Sequence, residues 1–337
     1  MTPLSKSSNK FNTSNDLGAL FDASLFATEK ATASWVTQRR ERCWHSPAAL
    51  SLCSQCGTAD PVAAIQRLAA ELVEASELQK PAENLLLLAS LQDIVAIKKC
   101  EMSDAGRLVP TANGLIIQVN QSHPITRQNF SIGHEISHTL MPNYLADMGK
   151  TDASVGFYQK DMEEEYLCDI GASEILLPSG DFLNAIGRER PSITTLRSIA
   201  SSFGVSLEAT AIKLIRAEVA DLAVAVWEPG WKPMQERNMK QPSLFDAEDV
   251  PPPLQKLRLR YAYCSGSMAE CFFPKSKSVE EASLIGRAYT EGGIHVGLQK
   301  LTMSKASVVF SIEAQAFDYW EEGVLCRKVL SLIFPST

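Results

Sequence analysis

The segment His134-Glu135-Ile136-Ser137-His138 sets two imidazoles four residues apart, with a carboxylate beside the first. On a helix, residues at that spacing stand one turn apart on the same face. Both rings can therefore reach a single ion at about 2.0–2.1 Å. Glu135 projects from the neighbouring position, beside the ion rather than on it. A metal held there would supply a Lewis acid and a water of lowered pKa, with Glu135 as proton acceptor, which is the equipment of a metal-dependent hydrolase.

Two histidines leave such a site incomplete, because catalytic zinc takes three protein ligands and keeps a fourth position open. The next informative segment is Glu163-Glu164-Glu165-Tyr166-Leu167-Cys168-Asp169. Glu165 and Asp169 are four apart and share a helical face, so Glu165 is the expected third ligand. Asp169 is expected to accept the free ring N–H of a ligand histidine, fixing its tautomer. Glu163 and Glu164 read as a solvated helix start, where carboxylates complement the helix dipole. Zinc suits the His/His/Glu set, and manganese is also compatible with these ligand types. Tyr144, Tyr158 and His123 are candidates for a further oxyanion donor through their nearness in sequence, although each also fits a packing or loop role.

Cys43 and His45, followed by Cys53 and Cys56, form a second cluster with metal-binding residue types. Its irregular spacing suits incidental thiols near a loop better than a zinc knuckle. Cys168 stands beside the expected ligand, and the expectation for it is a buried, inert thiol.

The metal-bearing segments need elements to hold them. Pro61 opens a helical pattern, VAAIQRLAAELVEAS, and a second apolar segment covers 83–97. GLIIQVN at 114–120 reads as a strand. A helix is expected from about 126 to 140, with Ile132, Ile136 and Leu140 as its apolar stripe, ending near Pro142. Another is expected from about 161 to 176, ending at Pro178. Residues 192–218 read as two helices around Phe203-Gly204-Val205-Ser206, a helix-turn-helix-like pair. A DNA-reading second helix needs contacting side chains, and 207–216 offers only Lys213 and Arg216 as cations. Packing against the core is the better reading, and DNA binding the weaker one. Residues 233–255 look like an exposed linker. Beyond it, KLRLRYAYC and ASVVFSIEA read as strands, with a helix from 279 to 289 between them.

Net charge −7 gives no general attraction to nucleic acid or anionic membrane. No apolar stretch approaches the roughly 18 residues that span a bilayer. Eight cysteines in 337 residues are too sparse for a disulfide scaffold, and the polar start lacks the layout of a secretory signal. A cytoplasmic location with reduced thiols is therefore expected.

Asn120, the run Arg127-Gln-Asn-Phe-Ser-Ile-Gly-His-Glu-Ile-Ser-His, and the run Glu165-Tyr-Leu-Cys-Asp-Ile-Gly-Ala-Ser-Glu-Ile-Leu-Leu-Pro178 together resemble the ImmA/IrrE family of metallopeptidases. The resemblance covers about 60–218. It implies that His134, His138 and Glu165 bind zinc and that Glu135 is general base and acid. It also implies an endopeptidase that cleaves a helix-turn-helix repressor in stress or mobile-element control, with a C-terminal domain similar to a GAF sensor in some members. Asp169 departs from the Asn common at that position. The alternative from another class is a metal-stabilised sensor that sequesters a regulator without cutting it.

The expected fold class is α+β: a mainly helical, zincin-like core with a small sheet, a helix-turn-helix-like segment and a C-terminal α/β, GAF-like domain. The expected boundaries are 1–55 for a polar, partly disordered extension, 56–190 for the metallopeptidase core, 191–220 for the helix pair and 221–337 for a regulatory domain.

Overall fold

Ser46 caps α1 (Pro47–Cys56) by accepting the Ala49 N–H, and Asp60 caps α2 (Pro61–Ser76) by accepting that of Val62. Each helix begins with proline, at a position where the missing N–H leaves no bond unmade. The computed structural model describes residues 43–142, 144, 161–240, 253–303, 307–321 and 324–336. Most of the expected N-terminal extension, and Tyr158, lie outside the described residues.

The apolar segment 83–97 divides in two. Asn84 caps a short helix, α3 (Leu85–Ser90). Asp93 then takes a left-handed conformation, φ 57°, and turns the chain into β1 (Ile94–Cys100). A hairpin of β2 (Gly106–Thr111) and β3 (Gly114–Asn120) completes a three-stranded sheet of order β1-β3-β2. β1 runs parallel to β3, and β2 antiparallel to it. α4 (Ile125–Thr139) packs on this sheet against β2 and β3. α5 (Met162–Leu176) crosses α4 and also touches α2.

After α6 (Ser179–Ile186), α7 (Ile193–Phe203) and α8 (Leu207–Arg216) form the expected bent pair, at 110°. Gly204 makes the turn at φ 64°. That angle lies within the range of helix-turn-helix units. Residues Thr210–Ile215 of α8 are nevertheless buried. Lys213, one of the two cations expected to matter for DNA, is 5% exposed and pairs with Glu174 at 2.6 Å. It could not reach a phosphate without leaving a buried carboxylate unpaired. Among the described residues, no single helix is long and apolar enough to cross a membrane.

The C-terminal part is a five-stranded antiparallel sheet of order β5-β4-β8-β7-β6. Its strands are β4 (Ala223–Gly230), β5 (Lys256–Cys264), β6 (Ile294–Thr302), β7 (Ser307–Glu321) and β8 (Val324–Pro335). The first part of the expected linker is α9 (Pro233–Lys240), which is mostly exposed, while 241–252 lie outside the described residues. The helix expected at 279–289 is α10 (Leu284–Glu291). It starts late because the Val279 N–H is bonded to the Leu257 carbonyl, and Ser283 supplies the cap at Gly286.

One face of this sheet carries α10 over a core that includes Trp227, Ile285, Ile312 and Ile333. The other face joins the main core of the molecule: Val224, Val226, Tyr261, Leu330, Leu332 and Phe334 cluster with Leu196, Leu214, Ile136 and Ile175. Polar ties follow the same seam. Arg190 Nη2 donates to Ser311 Oγ at 2.9 Å, Ile193 N–H donates to Glu313 at 3.0 Å, and the Tyr261 hydroxyl donates to Glu208. The fold is thus α+β, with the C-terminal sheet and helices α2 to α8 sharing one apolar core.

Candidate metal centre

α4 and α5 come close because small residues meet where they cross. A Cβ on Gly133 would lie 3.5 Å from Ala172. A Cβ on Gly171 would lie 2.7 Å from Ser137 Oγ and 3.1 Å from Ile65, closer than carbon atoms pack. Ile132 and Ile136 hold the opposite side of α4 in the core. That packing leaves His134 and His138 facing the start of α5.

There the donors converge. The Nε2 atoms of His134 and His138 are 3.2 Å apart. Glu165 Oε2 lies 3.3 Å from His134 Nε2, and Oε1 lies 3.7 Å from His138 Nε2. A tetrahedral ion with bonds of about 2.0–2.1 Å requires ligand atoms about 3.4 Å apart. The three donors, two neutral-capable imidazoles and a carboxylate, therefore fit a zinc-sized divalent cation in both chemistry and spacing. The field of the site agrees. Burial opposes a charge on His134, yet hydrogen bonds to Asp169 and Glu165, and the nearby Asp169 and Glu135 carboxylates, raise its pKa to about 10. The pocket of carboxylates calls for positive charge at this point.

The outward nitrogens are held as well. His134 Nδ1 is 2.8 Å from Asp169 Oδ1, the contact expected from the sequence. His138 Nδ1 is 3.1 Å from Glu164 Oε1 and 3.4 Å from Cys168 Sγ. Glu164 is thus no solvated helix start. Neither is Glu163, whose Oε2 accepts the N–H groups of His45 and Ser46, both at 2.9 Å, and so anchors the entry to α1. Asp161 caps α5 in their place, accepting from Glu163 and Glu164. The spacing to Asp169 singled out Glu165 in the run of three carboxylates, but nothing in the run marked the contacts of Glu163 and Glu164.

Glu135 is 8% exposed and follows His134 on α4. A Cβ at Gly106 would lie 3.3 Å from Glu135 Oε1 and 3.3 Å from Ser131 Cβ, so β2 passes close to the carboxylate and a side chain there would crowd it by a few tenths of an ångström. The loop into α4 is pinned by Asn120. Its Oδ1 accepts the Ser122 N–H at 2.9 Å, and its amide donates to the Met102 carbonyl at 2.5 Å.

The other expectations resolve differently. Tyr144 packs against the main core, and burial together with nearby Asp93 raises its pKa. The His123 ring is partly buried, which lowers its pKa, and its Nδ1 has no hydrogen-bond partner. Neither makes a hydrogen bond to the three donors. Burial, and then the surrounding carboxylates, raise the Cys168 pKa well above the usual thiol value, so this thiol stays protonated. Among the described residues, Cys43, His45, Cys53 and Cys56 do not gather into a group of metal donors. Such groups form from His134, His138 and Glu165, and from His138, Glu164 and Cys168.

No curated protein matches the chain. Among solved structures, a Mycobacterium tuberculosis transcriptional regulator is similar, at 12% identity and a TM-score of 0.49, over 80% of this chain and 76% of that one. The model of the IrrE N-terminal-like domain, a family of metallopeptidases, matches residues 90–214, the stretch that carries the three donors, Glu135 and Asp169. Over residues 90–214 the chain is accordingly similar to the IrrE N-terminal-like domain.

Proposed function

We propose that the chain is a zinc-dependent endopeptidase and that its substrate is a helix-turn-helix transcriptional repressor. The observation that carries this reading is the convergence of His134, His138 and Glu165 next to the buried carboxylate of Glu135. A divalent metal held by those three side chains supplies Lewis acidity toward a scissile carbonyl and lowers the pKa of water. Glu135 takes the proton of the attacking water and passes it to the leaving amine. Asp169 and Glu164 hold the Nδ1 protons of the two histidines, which keeps both Nε2 lone pairs turned to the centre. β2 is an edge strand of its sheet and passes beside Glu135 at Gly106. An extended peptide pairing with that edge would lie along the site, which favours a protein substrate.

The repressor, and a role in stress or mobile-element control, follow from the family resemblance of 127–138 and 165–178. All eight cysteines are free, which suits a reducing, cytoplasmic setting. The C-terminal sheet we assign to regulation, as a GAF-like module.

The test sets zinc-loaded wild type and Glu135→Gln against helix-turn-helix repressors encoded beside the gene, with fragments read by mass spectrometry. The expected outcome is one cut made by wild type, slowed on the order of 10²–10⁴-fold in Glu135→Gln at equal zinc content. Repressor bound but left intact by both proteins would contradict the peptidase reading and favour sequestration.

A further inference from the structure

Arg258 on β5 is 6% exposed, yet none of its hydrogen bonds reaches a carboxylate. Its Nε donates to the Gly230 carbonyl and its Nη1 to the Ser276 carbonyl, both at 3.0 Å. Among the described residues, Nη2 makes no hydrogen bond. A buried charge is ordinarily paired, because water no longer solvates it and neutral carbonyls compensate it only in part. The nearest acid by register is Glu228, its cross-strand neighbour on β4. That carboxylate is already engaged, at 2.7 Å from Arg260 Nη1 and 4.0 Å from Lys328 Nζ.

Arg258 stands in the wall of a cavity of about 390 Å³ that three cations, Arg258, Arg260 and Lys275, line together with two carboxylates, Glu228 and Glu236, of which Glu228 pairs with Arg260. That volume falls within the range of about 300–1,000 Å³ seen for small-molecule sites. Two local irregularities shape it. A bulge between Val226 and Trp227 in the β4–β5 pairing leaves Arg260 as the extra residue on β5, and bulges re-aim side chains. The tight turn 274–277, closed by the Lys277 N–H to the Pro274 carbonyl, holds Ser276 at φ 62°. This left-handed conformation is costly for a residue with a side chain, and it accompanies the Ser276 carbonyl bond to Arg258. Lys275, exposed on the same turn, adds a third cation to the rim.

We infer that this cavity is a binding site for a small anionic ligand, a molecule carrying a phosphate or carboxylate group that pairs with Arg258 and is drawn in by Lys275. The site is separate from the metal centre, and its existence does not depend on peptidase activity.

Isothermal titration of the full chain with inorganic phosphate, and separately with citrate, tests it against sodium chloride at matched ionic strength. The expected result is saturable binding of one or both anions, one per chain. Preference between the two arms identifies the ligand group. Lys275→Gln, an exposed change, is expected to weaken binding about two- to fivefold, and Arg258→Gln by about tenfold or more. Should Arg258→Gln fail to fold, Lys275→Gln decides alone. No saturable binding in either arm, or binding that Lys275→Gln leaves unchanged, would overturn the assignment.

Discussion

Glu164 illustrates what residue spacing can and cannot specify. His134, Glu135 and His138 were legible from the sequence because an i, i+4 pair has one geometric consequence on a helix. Glu165 and Asp169 followed from the same rule on α5. Glu163, Glu164 and Glu165, however, point in three directions about 100° apart, and only the packing of α5 between α1 and α4 decides that all three are used. Glu163 holds the entry to α1, Glu164 holds His138, and Glu165 faces both Nε2 atoms. Glu164→Gln retains the size of the side chain but removes its charge and leaves a weaker acceptor for the His138 Nδ1 proton. Zinc affinity measured by competition with a chelator is expected to fall about 10- to 100-fold, with the thermal midpoint of the metal-free protein little changed.

At the scale of elements, the helices on either side of the site were legible and several strands were not. β4 reads AVAVW, a continuous apolar run, because a central strand covered on both faces has no polar alternation to reveal it. β1 was hidden inside the segment 83–97, where Asp93 turns the chain at φ 57°. The crossing of α4 and α5 depends on Gly171, a residue that no chemical motif highlights. Gly171→Ala brings a methyl to within 2.7 Å of Ser137 Oγ, 3.0 Å of Ser137 Cβ and 3.1 Å of Ile65, so the crossing must shift to make room. A stability loss of about 1–3 kcal/mol is expected by denaturant unfolding, together with weaker zinc binding as Glu165 moves off the histidines. Gly180→Ala, where an added Cβ meets nothing within 4 Å, serves as the control and should leave both unchanged.

At the scale of the whole molecule, composition and charge set the class of protein, but they carried no information on how its two ends meet. The C-terminal strands share the main core with α7 and α8, and the Tyr261–Glu208 bond crosses that seam. Burial, followed by the Glu208 charge, pushes the Tyr261 pKa well above 10. Above about pH 10 the unfolded chain loses this proton while the folded chain keeps it. Fewer protons are then bound in the unfolded state, so stability falls as pH rises through that range. Tyr261→Phe should remove this component of the alkaline slope, as read from urea midpoints between pH 8.5 and 11 in the two proteins.

The candidate metal centre is where residues, elements and the whole fold meet, and a bound ion there can be observed directly. Anomalous scattering at the zinc edge, from crystals of the full chain grown with one equivalent of zinc, would locate the ion. The expected result is a single peak bounded by His134 Nε2, His138 Nε2 and a Glu165 oxygen, at about 2.0–2.2 Å from each. A peak at Cys53 and Cys56, a peak held by Glu164 and Cys168 instead, or ordered donors with no peak between them would contradict the account.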